Sequence, residues 1–146
     1  MKQLLMAGGL LALLVGAGQA VAQNCGGTGQ SMTPLNIKNK VIGKYTCVGS
    51  FPHAQWNELL SGSANSGNVI DYKLGPTDPI DPTKQVGTYT VTVTGNNVGI
   101  LTYTYGSTSY AYQIQKPSTL GTSFTALFCP QGSGYSGTVN VQPSHC

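Results

Sequence analysis

Val86 to Phe128 reads VGTYTVTVTGNNVGILTYTYGSTSYAYQIQKPSTLGTSFTALF, and Lys116 is the single charge in it. Tyr89, Val91 and Val93 stand between Thr88, Thr90, Thr92 and Thr94, and Tyr103 and Tyr105 are set among Thr102, Thr104 and Gly106. Tyr110, Tyr112 and Ile114 alternate with Ala111, Gln113 and Gln115, and Phe124, Ala126 and Phe128 with Thr125 and Leu127. A period of two over such runs marks antiparallel strands with one buried face. The stretch therefore predicts a meander of hairpins.

The register follows from matching large apolar residues across each turn. A four-residue loop, Gly106–Ser109, sets Tyr105 against Tyr110, Tyr103 against Tyr112 and Leu101 against Ile114. A two-residue turn at Asn96-Asn97 would pair Val91 with Thr102 and put the faces out of step. A three-residue loop, Asn96–Val98, instead pairs Val93 with Leu101, Val91 with Tyr103 and Tyr89 with Tyr105; a bulge at Gly99 could do the same. Carried onward, one row holds Val93, Leu101, Ile114 and Phe124, and the next Val91, Tyr103, Tyr112 and Ala126. The last row holds Tyr89, Tyr105, Tyr110 and Phe128. The fold class expected is all-β: an antiparallel meander closing into a small barrel, or packed as a sandwich, with one short helix and two disulfides.

Working outward, residues 1–22 read as a secretory signal peptide: Lys2, an apolar run from Leu4 to Val15, and a small-x-small site at Ala20-Val21-Ala22. The run is short and broken by Gly8, Gly9 and Gly16, whereas a membrane-spanning helix needs roughly 20 apolar residues. No membrane span is expected after cleavage. Residues 23–40 read as an irregular N-terminal arm and 41–146 as a single β domain. Within it, Val41–Gly49 is a first strand. Pro52–Leu60 is the short helix, because Pro52 suits a first turn and Trp56, Leu59 and Leu60 fall at i, i+3 and i+4. Ser63–Asn68 reads as a flexible loop and Val69–Leu74 as a strand. Three prolines make Gly75–Pro82 a surface loop, and a closing strand lies around Thr138–Gln142.

Composition bounds the function. The net charge is +3 and the chain has no arginine, so bidentate phosphate recognition is missing and nucleic-acid binding is not expected. Cys25, Cys47, Cys129 and Cys146 lack the short paired spacing of a zinc site. In an exported chain they read as two disulfides, with Cys25–Cys47 and Cys129–Cys146 favoured because they close the shorter loops. No metal and no cofactor are expected. The location is periplasmic or extracellular.

Three function classes remain. A nucleophile such as Ser50 or Ser61 beside His53, oriented by Glu58 or Asp71, lacks any local signature. A glycosidase pair would have to come from Glu58, Asp71, Asp78 and Asp81, and the last two sit in Asp-Pro turns. A secreted hydrolase is thus the weakest class, and the protein is not expected to be an enzyme. A non-enzymatic binding protein fits better, with Trp56, Tyr89, Tyr105 and Tyr110 forming an aromatic mouth for a small ligand or an envelope or extracellular protein. The alternative is a self-assembling surface or fibre subunit, because the Thr-rich face and sparsely guarded strands would allow edge pairing and self-association.

Overall fold

A computed structural model of the chain describes residues 31–49, 56–72 and 84–146. Eight antiparallel strands run in sequence: β1 (Tyr45–Val48), β2 (Trp56–Gly62), β3 (Ser66–Asp71), β4 (Lys84–Thr94), β5 (Val98–Tyr105), β6 (Thr108–Gln115), β7 (Phe124–Pro130) and β8 (Gly137–Gln142). Each pairs with the next, and β8 pairs back onto β1, so the sheet closes as a barrel and not as a sandwich. The alternation sets the two faces. Val91, Leu101, Tyr103, Ile114, Phe128 and Val139 are buried, while Thr88, Thr90, Thr92, Thr125 and Thr138 are exposed. An apolar interior within a polar exterior is the reverse of the lipid-facing alternation in membrane-spanning barrels. No helix among the described residues is long and apolar enough to cross a membrane.

The faces are as expected, but the register differs. The β4–β5 connection is a three-residue loop, Gly95–Asn97, with Asn96 and Asn97 at φ 60° and 57°, a conformation that asparagine adopts more readily than most residues. Tyr89 therefore pairs with Tyr103 and Val91 with Leu101. The β5–β6 turn contains only Gly106 and Ser107, so Tyr103 pairs with Tyr110 and Leu101 with Tyr112. Both shifts are by two residues, which moves the rows but keeps every side chain on its face. Between β6 and β7 the shift is four, and Ile114 meets Phe128 instead of Phe124. The expected neighbours still touch diagonally, with ring centroids 5.8 Å apart for Tyr103 and Tyr112 and 6.1 Å for Tyr105 and Tyr110. Val93 is 61 % exposed and leaves the core row, because it sits near the end of β4 opposite Gly99.

The expected helix at Pro52–Leu60 is corrected: Trp56–Leu60 is the first part of β2, and residues 52–55 lie outside the described residues. Pairing with β1 on one side and β3 on the other supplies its backbone hydrogen bonds. The segment 66–68, expected as loop, belongs to β3. The helix lies in the arm expected to be irregular, as α1 (Pro34–Lys40). Thr33 is its N-cap, accepting the Asn36 amide at 3.2 Å; Pro34 opens the first turn, and Lys38 and Lys40 lie in the last.

Helix α1 packs on β4 and β5 and covers the barrel at the end where β5 begins, with Met32, Ile37 and Val41 fully buried. Backbone hydrogen bonds from Met32 N–H to the Ile114 carbonyl and from Gly99 N–H to the Met32 carbonyl fasten it. A Cβ at Gly99 would lie 2.7 Å from Ile37 Cδ1 and 2.8 Å from the Pro34 nitrogen. Gly99 is thus a point of close backbone approach, not a bulge.

The disulfide pairing is also corrected. Cys47 bonds Cys146, their Cα atoms 5.8 Å apart, so neither favoured pairing forms. Barrel closure brings the first strand beside the last irrespective of the 99 residues between these cysteines. Cys129 is disulfide-bonded as well, and Cys25 lies outside the described residues.

Candidate functional site

The barrel end opposite α1 holds a cleft of about 550 Å³. It is lined by Val48, Trp56, Glu58, Asp71, Tyr105, Tyr110, Tyr112, Gly134 and Tyr135. The strands explain the convergence. Trp56 and Glu58 are alternate residues of β2, so they share its inward face, and Glu58 stands directly opposite Asp71 of β3. Tyr105 ends β5, and Tyr110 and Tyr112 follow across the tight turn on β6. Tyr135 comes from the β7–β8 connection, where its amide donates to the Tyr112 hydroxyl at 3.2 Å. Gly134 permits that approach: its φ is +138°, and a Cβ there would lie 2.8 Å from the Tyr112 oxygen.

Trp56 is the hub of the aromatic lining. Its ring lies 5.5 Å from Tyr103, 5.9 Å from Tyr135 and 6.3 Å from both Tyr112 and Phe128, edge-on or tilted in each case. Each such pair contributes about 0.5–1.5 kcal/mol beyond simple burial. Together they hold the indole in a single orientation.

Glu58 is the chemical centre. Its residue is 7 % exposed, both carboxylate oxygens lie 2.8 Å from the Tyr105 hydroxyl, and the Trp56 indole N–H also donates to the carboxylate. Its backbone carbonyl accepts the Thr46 hydroxyl at 3.2 Å. Burial pushes the Glu58 carboxyl up to about 7, with the Asp71 charge adding to the rise and the Tyr105 and Trp56 donors opposing it. The phenols of Tyr103 and Tyr105 are both raised, first by burial and then by the Glu58 charge. Tyr103 is fully buried, with its hydroxyl beside that of Thr46, which in turn donates to the Glu58 carbonyl.

Of the four residues expected at an aromatic mouth, Trp56, Tyr105 and Tyr110 meet here. Tyr89 does not. It is buried toward the α1-covered end, opposite Gly67, and its hydroxyl donates to the Ser63 carbonyl at 2.8 Å. Glu58, Asp71, Tyr112 and Tyr135 are site residues that the aromatic-rim argument missed. The alternation of Trp56 and Glu58 was the available signal, but it is visible only once the segment is read as a strand. Ser61 is exposed at the far end of β2, away from the cleft, and His53, Asp78 and Asp81 lie outside the described residues. Among the described residues no group of three or more His, Cys, Asp or Glu could hold a metal ion.

Comparison with protein-family models, with curated proteins and with solved structures found no match to this chain.

Proposed function

We propose that this protein is an exported, non-enzymatic binding protein that takes a small ligand in the mouth of its barrel. The observation that carries this reading is the cleft itself: about 550 Å³, walled by Trp56 and four tyrosines and holding two carboxylates. That volume suits a small molecule, and an apolar wall with a few polar groups is the usual make-up of a ligand site. Disulfide bonding and the signal-like residues 1–22 support export to an oxidising compartment. The self-assembly alternative rested on open strand edges. Pairing of each described strand on both sides withdraws that support.

A small-molecule library read by Trp56 fluorescence and by thermal shift tests the reading, since Trp56 is the single tryptophan. Compounds that respond should lose their effect in Tyr110→Ala and Tyr135→Ala and keep it in Tyr89→Phe. Hits that survive both alanine variants would place binding elsewhere.

The meeting of Glu58 and Asp71 gives the hydrolase class one specific observation of its own, two carboxyl groups in one cleft. Both Glu58 oxygens, however, already accept hydrogen bonds from within the barrel. Chromogenic glycosides incubated with the protein should release no chromophore, and release abolished by Glu58→Gln would replace the binding reading with the hydrolytic one.

A further inference from the structure

Two of the four acidic residues in the chain, Glu58 and Asp71, line the same cleft, and among the described residues no lysine lines it with them. They face each other across neighbouring strands, a placement that puts Cβ atoms about 4.5–5.5 Å apart. The Glu58 carboxylate is held by the Trp56 indole and the Tyr105 hydroxyl. Both donors are neutral. They orient a carboxylate without cancelling its charge, and a buried charge lacking a counter-charge is unfavourable. The remaining wall consists mainly of aromatic rings, whose faces attract cations.

We infer that the cleft binds a small organic cation, its ammonium head between Glu58 and Asp71 and its carbon skeleton against Trp56, Tyr110 and Tyr135. The inference rests on the cleft being a ligand site and names the class of ligand. A sugar could use the same rings and the same acceptors. It would gain nothing from the second carboxylate and would leave the buried charge uncompensated. An ammonium group satisfies both features at once.

The pH response follows from the groups around Glu58. Thr46 faces it from β1, Asp71 from β3 with Lys84 of β4 beyond, Tyr103 and Tyr105 from β5, and Tyr112 from β6. The three phenols are all raised and stay neutral near pH 7. Ionisation of Glu58, pushed up to about 7, is therefore the event that matters. Cation binding should tighten by about tenfold from pH 6 to pH 8, as the charged fraction of Glu58 rises.

The test uses Trp56 fluorescence on the full mature protein, with choline, n-butylamine, N-acetylglucosamine and 3,3-dimethyl-1-butanol, the neutral isostere of choline. Choline or n-butylamine should give a saturable change that tightens with pH, and the isostere should bind about tenfold more weakly or worse. Glu58→Gln should weaken the cation about tenfold and remove the pH dependence. Asp71→Asn, at a half-buried position, should weaken the cation severalfold and leave the isostere unchanged, which keeps the test decisive if Glu58→Gln does not fold. Equal binding of choline and its isostere, or a response to N-acetylglucosamine alone, overturns the cation class while leaving the cleft as a binding site. No response to either cation also overturns it, and the wider library then judges the cleft separately.

Discussion

Glu58 concentrates the physics of this barrel in one side chain. Folding takes its carboxyl from an ordinary value of 4.5 to about 7, chiefly by burial. Below pH 4.5 the group is protonated in both folded and unfolded chains and contributes no difference. Between 4.5 and 7 the folded protein holds a proton that the unfolded chain has released, so stability falls as pH rises through that window. Above about 7 the charge is present in both states and the full penalty remains, on the order of 3 kcal/mol. Glu58→Gln keeps an oxygen for the Tyr105 hydroxyl and carries no charge. It should therefore unfold at a higher temperature than the parent at pH 8 and close to the parent at pH 4.5. Thermal unfolding across that range checks this, and a variant less stable than the parent at pH 8 would mean that the carboxylate is held by more than it costs to bury.

At the scale of elements, the join between α1 and the barrel depends on one missing side chain. A methyl group at Gly99 would run into Ile37 Cδ1 and the Thr33–Pro34 backbone at 2.7–2.9 Å, and backbone gives way less easily than a side chain. Gly99→Ala should cost about 1–3 kcal/mol. Gly95→Ala, a few residues away with nothing within 4 Å of its added Cβ, should stay within about 0.5 kcal/mol. Equilibrium unfolding in urea gives both values, and comparable effects at the two sites would remove the close-packing account. The same two regions explain what the sequence could and could not tell. The alternation from Val86 to Phe128 was enough for the sheet, its buried face and two of the aromatic site residues, Tyr105 and Tyr110, because period two survives a register slip of two or four residues. Helix α1 carried its signals openly in Thr33 and Pro34, but seven residues amid a Gly- and Ser-rich arm give no amphipathic stripe to weigh against composition. Strand β2 was hidden for the opposite reason. Its inward positions are Trp56, Glu58 and Leu60, and a carboxylate on the buried face breaks the apolar alternation, leaving Trp56, Leu59 and Leu60 to mimic a helix. The residue that obscured the strand is the one at the centre of the site, where local rules are most often broken.

For the whole molecule, the decisive joint is where the sheet closes on itself. The β1–β8 seam has three register pairs, Tyr45 with Gln142, Thr46 with Val141 and Cys47 with Asn140, whereas β4 and β5 share seven. The C-terminal tail crosses beside this seam. Cys146 is bonded to Cys47 and its amide donates to Asn57 at 3.4 Å, while His145 stacks on Tyr45 at 4.9 Å and meets Tyr72 edge-on at 4.5 Å. The disulfide thus fastens the shorter seam from outside, and constraining two residues so far apart in sequence stabilises a fold by about 2–5 kcal/mol. Replacing both cysteines, Cys47→Ser with Cys146→Ser, should lower stability by that amount and let β1 part from β8 first. Amide exchange at Tyr45–Cys47 should then accelerate far more than exchange in β4 and β5. Parting of the seam also uncovers two unpaired strand edges, which are the templates for association. By light scattering, the disulfide-bonded protein should remain monomeric across micromolar concentrations, and the double-serine variant should grow with concentration. Growth of the disulfide-bonded protein itself would mean that its sheet does not stay closed in solution, and uniform acceleration across all strands would mean that the seam is no weaker than the rest of the barrel.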